Sequence, residues 1–347
     1  MVCEGKRTYP AVSLVDAGRL VAILIVIAIH TGAFEDIPRA DYVFSNFIKI
    51  YAVPFFFVCS GYFLGVKLNR AAGLTEYRRV IRAYGRRLLT PYLFWGVINF
   101  LVEIAVNISK GMKANQAFIE QIHSWLVTSP GRALWYVQAI LILLLILLVS
   151  DKKSYLIFLS TVGIVLTFVI PCLETAAVSN KRALDLLDAY RRIFISEHNF
   201  VFYGVFFIGA VLSARIDMYA HVKNIAFVAI MAVAVVISVL ARNYAFFPIA
   251  KRISMLLFSF SAFGLLLCSE APYPLEQSLR FRELSTIFYF THIPVKYMFQ
   301  FLFQKLNIGS SLLVYCVTLI ALLIYSICVN RLKQKSASAK KVFSTIY

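Results

Sequence analysis

Charge is what this chain lacks: only 15% of its 347 residues are Asp, Glu, Lys or Arg, while 61% are hydrophobic and the mean hydropathy is +0.78. A soluble globular domain carries nearer a quarter charged residues, so that class is excluded and a polytopic membrane protein remains. Acidic residues are scarcer still, 17 against 35 basic, giving a formal charge of +18. That excess does not read as a nucleic-acid surface, because the basic residues sit in short segments between apolar runs, where they set topology. The six cysteines (Cys3, Cys59, Cys172, Cys268, Cys316 and Cys328) stand singly, without the Cys-x-x-Cys or Cys/His spacing of a disulfide framework or metal site. No soluble domain and no internal repeat is visible.

What is present is a series of ten apolar runs. They cover residues 15–34, 47–66, 88–107, 133–150, 155–172, 200–213, 225–241, 253–268, 285–304 and 311–329. The sixth and eighth are short for a span and need flanking polar residues to reach the interfaces. The expected fold is therefore all-α and integral to the membrane, with about ten transmembrane helices. An even count places both termini on one side. The seven basic residues Lys67, Arg70, Arg78, Arg79, Arg82, Arg86 and Arg87 make the link after the second run the densest positive loop, and so cytoplasmic with the termini. Residues 1–330 read as one polytopic domain and 331–347 as a basic cytoplasmic tail, disordered or surface-bound. The first run is too long for a signal h-region, contains Arg19 and has no clear cleavage site, so it is expected to be a retained helix. Residues 108–132 and 173–199 are long for hairpin links and carry apolar residues at helical spacing, as a partial lid on the outer face would.

The first run, VDAGRLVAILIVIAIHTGAF, holds Arg19 and His30. Eleven residues at ~100° each return to within ~20° of the same face, ~16 Å apart along the axis. Singly, Arg19 fits a side chain snorkelling to the interface and His30 a hydrogen-bonded structural histidine. Together on one face, with Asp16 one turn before Arg19, they mark a functional site, since ionisable groups inside a span are costly.

Asp16-x-x-Arg19, ten residues and His30 resemble the first-helix signature of the membrane acyltransferase-3 family, ten-helix proteins that acylate envelope glycans, lipids and antibiotics. The second run is similar to the family's second helix in its Pro54, phenylalanine triplet and Ser60-Gly61-Tyr62-Phe63-Leu64 end, which equally suits small-residue helix packing. Arg86-Arg87-Leu88-Leu89-Thr90-Pro91-Tyr92 resembles the basic-then-Pro-Tyr start of the third helix. Its arginine forks suit nucleotide phosphates, and equally lipid headgroups and positive-inside topology. Leu134-Trp135-Tyr136 falls where the family often has His-Leu-Trp, and Ala133 stands in the histidine's place. Trp135 and Tyr136 also fit an aromatic belt. Tyr289-Phe290-Thr291-His292-Ile293-Pro294 resembles the late Tyr-x-x-His-Pro segment with one residue inserted. His292 and Lys296 share a helical face there, either as a polar cavity or as a hydrogen-bonded histidine beside a snorkelling lysine. Of the other histidines, His198 is a weaker candidate for an outer acceptor site.

The resemblance implies a multi-pass plasma-membrane O-acyltransferase. It would move an acyl group, most simply acetyl, from cytoplasmic acyl-CoA to a hydroxyl on an envelope carbohydrate or lipid-linked acceptor. Arg86, Arg87 and Tyr92 would then face the CoA. His30 would act as general base with Arg19 as electrostatic support, and Asp16, Ser60, Tyr62, Trp135, His292 and Lys296 would support them. No metal and no nucleic acid is implied, and membrane lipids surround the protein. A second reading, a small-solute transporter or uptake module, rests on similarity to the membrane portion of vancomycin-resistance serine racemases. A third, a catalytically silent scaffold, rests on the missing histidine at 133.

The charge distribution predicts that single cysteines replacing Arg78 or Lys335 resist an impermeant thiol reagent on intact cells, whereas those replacing Lys113 or Lys181 react. Labelling at position 78 would reverse the orientation.

Overall fold

The computed structural model describes residues 13–127, 133–193 and 199–347, so Cys3 and His198 lie outside the described residues. Of the described residues 84% are helical, and none lies in a strand. In order, the helices are α1 (Val15–Thr31), α2 (Pro38–Val43), α3 (Lys49–Leu68), α4 (Gly73–Ser109), α5 (Ala114–Val127), α6 (Trp135–Leu147) and α7 (Lys153–Ala177). They continue with α8 (Lys181–Ile193), α9 (Phe200–Arg215), α10 (Asn224–Leu240), α11 (Phe247–Cys268), α12 (Leu275–Lys305), α13 (Ser311–Lys335) and α14 (Ala337–Ile346). A π turn, Phe44–Ile48, fuses α2 to α3.

Each of the ten apolar runs lies largely on one helix. Six helical stretches are long and apolar enough to cross a membrane: Pro38–Leu68, Gly73–Ser109, Lys153–Ala177, Asn224–Asn243, Phe247–Cys268 and Ser311–Lys335. α6 and α9 are apolar but shorter. α1, with 17 residues, is shorter than those six, and α12 is long but carries charged residues through its first three turns.

Polar segments between and after the apolar runs are also helical. The link after α1 becomes helical at Pro38, whose fixed φ suits a first-turn position. The basic segment before residue 88 is mostly not a loop: α4 starts at Gly73 and runs through Arg78, Arg82, Arg86 and Arg87, with no breaker before Pro91 and a Glu76–Arg79 pair in its first turns. The tail forms α14, which returns to α4. There the Trp95 indole N–H donates to the Ile346 carbonyl at 3.0 Å, and the Tyr347 and Trp95 rings lie 5.6 Å apart. α5 and α8 occupy the two long segments read as lid candidates; α5 lays Phe118 and Trp125 on Phe100 of α4.

The core is centred on α3 and α9, whose fully buried Phe57, Leu64, Phe206 and Phe207 pack with Tyr62, Phe263 and Tyr219. Close approach of the two helices depends on α3's glycines. A Cβ on Gly61 would overlap the Phe207 carbonyl, and one on Gly65 would fall 2.7 Å from the Val211 carbonyl. α1 ends where Gly32 takes a left-handed φ of 66° and its N–H reaches the Ala28 carbonyl. Its first turn, lacking a side-chain cap, is tied to α11 by Leu14 N–H, which reaches the Leu266 and Ser269 carbonyls.

Gly61→Ala is expected to force α3 from α9 and to cost about 1–3 kcal/mol, seen as a lower melting temperature in detergent. Gly85→Ala, whose nearest neighbour would be Leu144 at 3.5 Å, is expected to be neutral or mildly stabilising. Equal melting temperatures for the two variants would show that α3 and α9 do not need the bare backbone.

Candidate functional site

The site is a seam between α1 and α12. Asp16, 5% exposed, accepts three hydrogen bonds, from Ser278 Oγ at 2.7 Å, Arg282 Nη2 at 2.7 Å and Arg282 Nε at 3.1 Å, and forms a fourth contact, an ion pair with Arg19 Nη1 at 3.7 Å. At the other end, the His30 and His292 rings stand 5.1 Å apart, tilted by 44°. Fourteen residues separate Asp16 from His30, and fourteen separate Ser278 from His292. The two helices therefore run parallel and in register, with a charged cluster at one end and a histidine pair ~21 Å along.

Arg19 thus shares Asp16 with a second arginine that the sequence reading did not select. Arg282 makes the bidentate contact and Arg19 the longer one. Arg282 resembles a topology residue when α12 is read only from residue 285. The extended helix shows the missing signal, a polar stripe of Ser278, Arg282, Ser285, Tyr289, His292 and Lys296 at three- and four-residue steps on one face.

Arg19 looks inward as well. Its Nε is buried without a hydrogen-bond partner among the described residues, and its charge acts on Cys59, Tyr84 and Tyr136. These belong to α3, α4 and α6. Tyr136 donates to the Phe56 carbonyl at 3.1 Å, which leaves the Ser60 hydroxyl to donate to Tyr136 at 2.6 Å. Tyr84 faces the same Ser60 hydroxyl and lies within the field of Arg87. Arg87, Tyr84, the hydrogen-bonded Ser60 and Tyr136, and Arg19 thus act on one another electrostatically across α4, α3, α6 and α1.

The remaining predicted residues fall around this group. Arg86 and Arg87 are exposed on α4. Tyr92 is buried five residues beyond Arg87 in a hydrophobic cluster with Trp95, Leu134, Val137 and Phe290. Trp135 packs between Phe57 and Tyr203, at 5.8 and 5.0 Å, and so braces α3 on α9 instead of lining the seam. Tyr62 packs in the core, its ring tilted by 55° on Phe263 at 4.9 Å. The Lys296 ammonium lies over the Tyr297 ring at 4.6 Å. Tyr289 donates to the carbonyl of Ala133 at 2.8 Å and meets Tyr136 edge-on at 5.8 Å, joining α12 to α6. An open apolar pocket of about 400 Å³, lined by Val21, Leu24, Ile25, Ala28, Phe44 and Tyr315 among others, lies on the opposite face of α1 from Arg19 and His30. No group of three His, Cys, Asp or Glu side chains suited to a metal occurs among the described residues.

The architecture is all-helical, with six helical stretches fit to cross a membrane and ionisable groups gathered along one seam around the buried Asp16. The family model of an acyltransferase domain matches residues 13–331, and the chain belongs to the acyltransferase-3 family. It is thus a membrane acyltransferase in the general sense. No curated protein and no solved structure matches it.

Arg282→Ala is expected to lower stability by about 1–3 kcal/mol, because it strips a buried carboxylate of its bidentate partner. Arg280→Ala removes an exposed pair with Glu276, the two side chains 68% and 75% exposed, and is expected to cost under about 0.5 kcal/mol. Melting temperatures of the two variants in detergent decide the matter; equal shifts would remove Arg282 from the seam's support.

Proposed function

We propose that the protein is an integral-membrane O-acyltransferase of the plasma membrane. It moves an acyl group, most simply acetyl, from cytoplasmic acyl-CoA to a hydroxyl of an envelope carbohydrate or lipid-linked acceptor. The observation that carries this reading is the α1–α12 seam, with its cationic cluster at one end and its histidine pair at the other.

Family membership supports an acyl donor. The basic reach of α4 suits CoA: Arg86 and Arg87 offer planar donor forks to its phosphates, outside the apolar part of the helix. The narrow pantetheine arm then runs from Arg87 past Tyr84 and Ser60 toward Arg19 and the seam. Arg19, with Asp16 held chiefly by Arg282, keeps cationic character to offer the donor. His30 takes the proton of the acceptor hydroxyl as its oxygen attacks the thioester carbonyl; the C–S bond breaks and the leaving thiolate recovers the proton. Imidazole suits this task because its unperturbed pKa of ~6.5 lies close to neutrality.

Purified protein in liposomes is expected to transfer or hydrolyse labelled acetyl from acetyl-CoA, and to melt higher in its presence. His30→Gln retains hydrogen bonding but cannot carry the proton, so turnover is expected to fall by about 10²–10⁴ with donor binding retained. The Arg86→Ala/Arg87→Ala double variant is expected to insert normally and to need about tenfold more acyl-CoA. Near-normal turnover by His30→Gln would refute the base assignment, and solute accumulation independent of acyl-CoA would favour transport.

A further inference from the structure

We propose that His292 is the positioning residue for His30 and receives its second proton during transfer, so that the two histidines work as a relay. The inference rests on the acyltransferase reading above and adds a residue from the opposite end of the chain.

The tautomer of His292 follows from its partners. Its Nδ1 lies 2.8 Å from the Tyr289 carbonyl and 3.0 Å from the Phe288 carbonyl. Carbonyl oxygens only accept, so Nδ1 carries the hydrogen and Nε2 carries the lone pair. The side chain is fully buried, at 0% exposure, and Nε2 has no hydrogen-bond partner among the described residues. A buried acceptor left unmatched costs free energy and calls for an explanation beyond packing. The neighbouring ring is the group that could supply one: His30 lies 5.1 Å away, centroid to centroid, in tilted ring contact without a hydrogen bond to Nε2, and is only half-buried.

The relay balances as follows. The acceptor hydroxyl gives its proton to one nitrogen of His30 while its oxygen bonds to the thioester carbon. The His30 ring turns to bring the N–H on its other nitrogen within hydrogen-bond reach of His292 Nε2, and that proton passes across. His30 is then neutral again, and the positive charge resides transiently on the buried His292, where burial disfavours it and the two backbone carbonyls facing the Nδ1 hydrogen offset part of that cost. As the C–S bond breaks, the thiolate leaves with the proton returned along the same path. The arrangement is that of a base oriented by a third group, with an imidazole in place of a carboxylate.

The test uses full-length protein in liposomes with acetyl-CoA. His292→Asn keeps an N–H near the Phe288 and Tyr289 carbonyls but has nothing at the position of Nε2. It is expected to lose at least about 100-fold in kcat while KM for acetyl-CoA stays within about twofold. His292→Gln places an amide oxygen near that position, which orients His30 without accepting its proton, and is expected to lose only about tenfold. On the wild-type protein, turnover in mixtures of light and heavy water is expected to bend as two moving protons require. A strictly linear dependence refutes the relay whether or not the variants fold, as does a folded His292→Asn variant that turns over within about threefold of wild type. Loss confined to KM would make His292 a donor-binding residue and likewise refute it. These outcomes stand apart from failure of the functional reading itself, which is a wild-type protein that binds no acetyl-CoA and transfers nothing.

Discussion

A carboxylate inside an apolar helix is tolerated only where cations and donors surround it, and Asp16 has gathered Ser278, Arg282 and Arg19 for that purpose. Three of its four contacts come from α12, so the register of α12 on α1 is set there. A slip of one helical turn would break them and carry His292 past His30 by ~5.4 Å. The geometry of the histidine pair is thus a remote consequence of an ion cluster four turns away. Glu283 adds to this anchorage by pairing with Lys333 of α13, next to Arg282 in sequence but on a different neighbour.

The second constraint is how closely α3 meets α9. Gly61 and Gly65 let the backbones touch, and this contact draws the α3 turn containing Cys59 and Ser60 into the interior. Ser60 then meets Tyr136 of α6, and Tyr136 meets Tyr289 of α12, so a hydroxyl and aromatic layer closes the circuit from α3 back to the seam. Small residues act here as the means by which polar residues on different helices reach one another. The two readings of the Ser60-Gly61 element are consequently compatible: Gly61 serves packing and Ser60 serves the polar contacts.

What could be read from the sequence was what local periodicity encodes. The ten apolar runs, the shared face of Arg19 and His30, and the Asp16–Arg19 spacing all depend on residues within a few turns of one another. The seam itself was illegible, because Ser278 and Arg282 lie 262 and 266 residues from Asp16. Hydropathy began α12 at residue 285, ten residues after the helix starts, since charged turns score as loop although their backbone remains helical. The same bias made a loop of the first turns of α4 and a disordered or surface-bound end of α14. Where charge and helix coexist, hydropathy marks the membrane boundary and misses the helix boundary.

Ala133 shows how the polar groups of this chain are distributed. The resemblance read from the sequence leads one to expect a histidine at that place, and its absence suggested a functional group missing from the start of α6. In the structure the backbone carbonyl of Ala133 accepts the Tyr289 hydroxyl, so α6 remains tied to α12 through a group no substitution at 133 can delete. Tyr289 also offers its own carbonyl to His292 Nδ1, one of the two bonds that fix that ring. The tyrosine therefore couples two events on one turn of α12: its side chain locates α6, and its main chain sets the tautomer of the buried histidine. A polar group missing from α6 does not leave the seam poorer, because the contacts that orient the seam come from the backbone and from α12 itself.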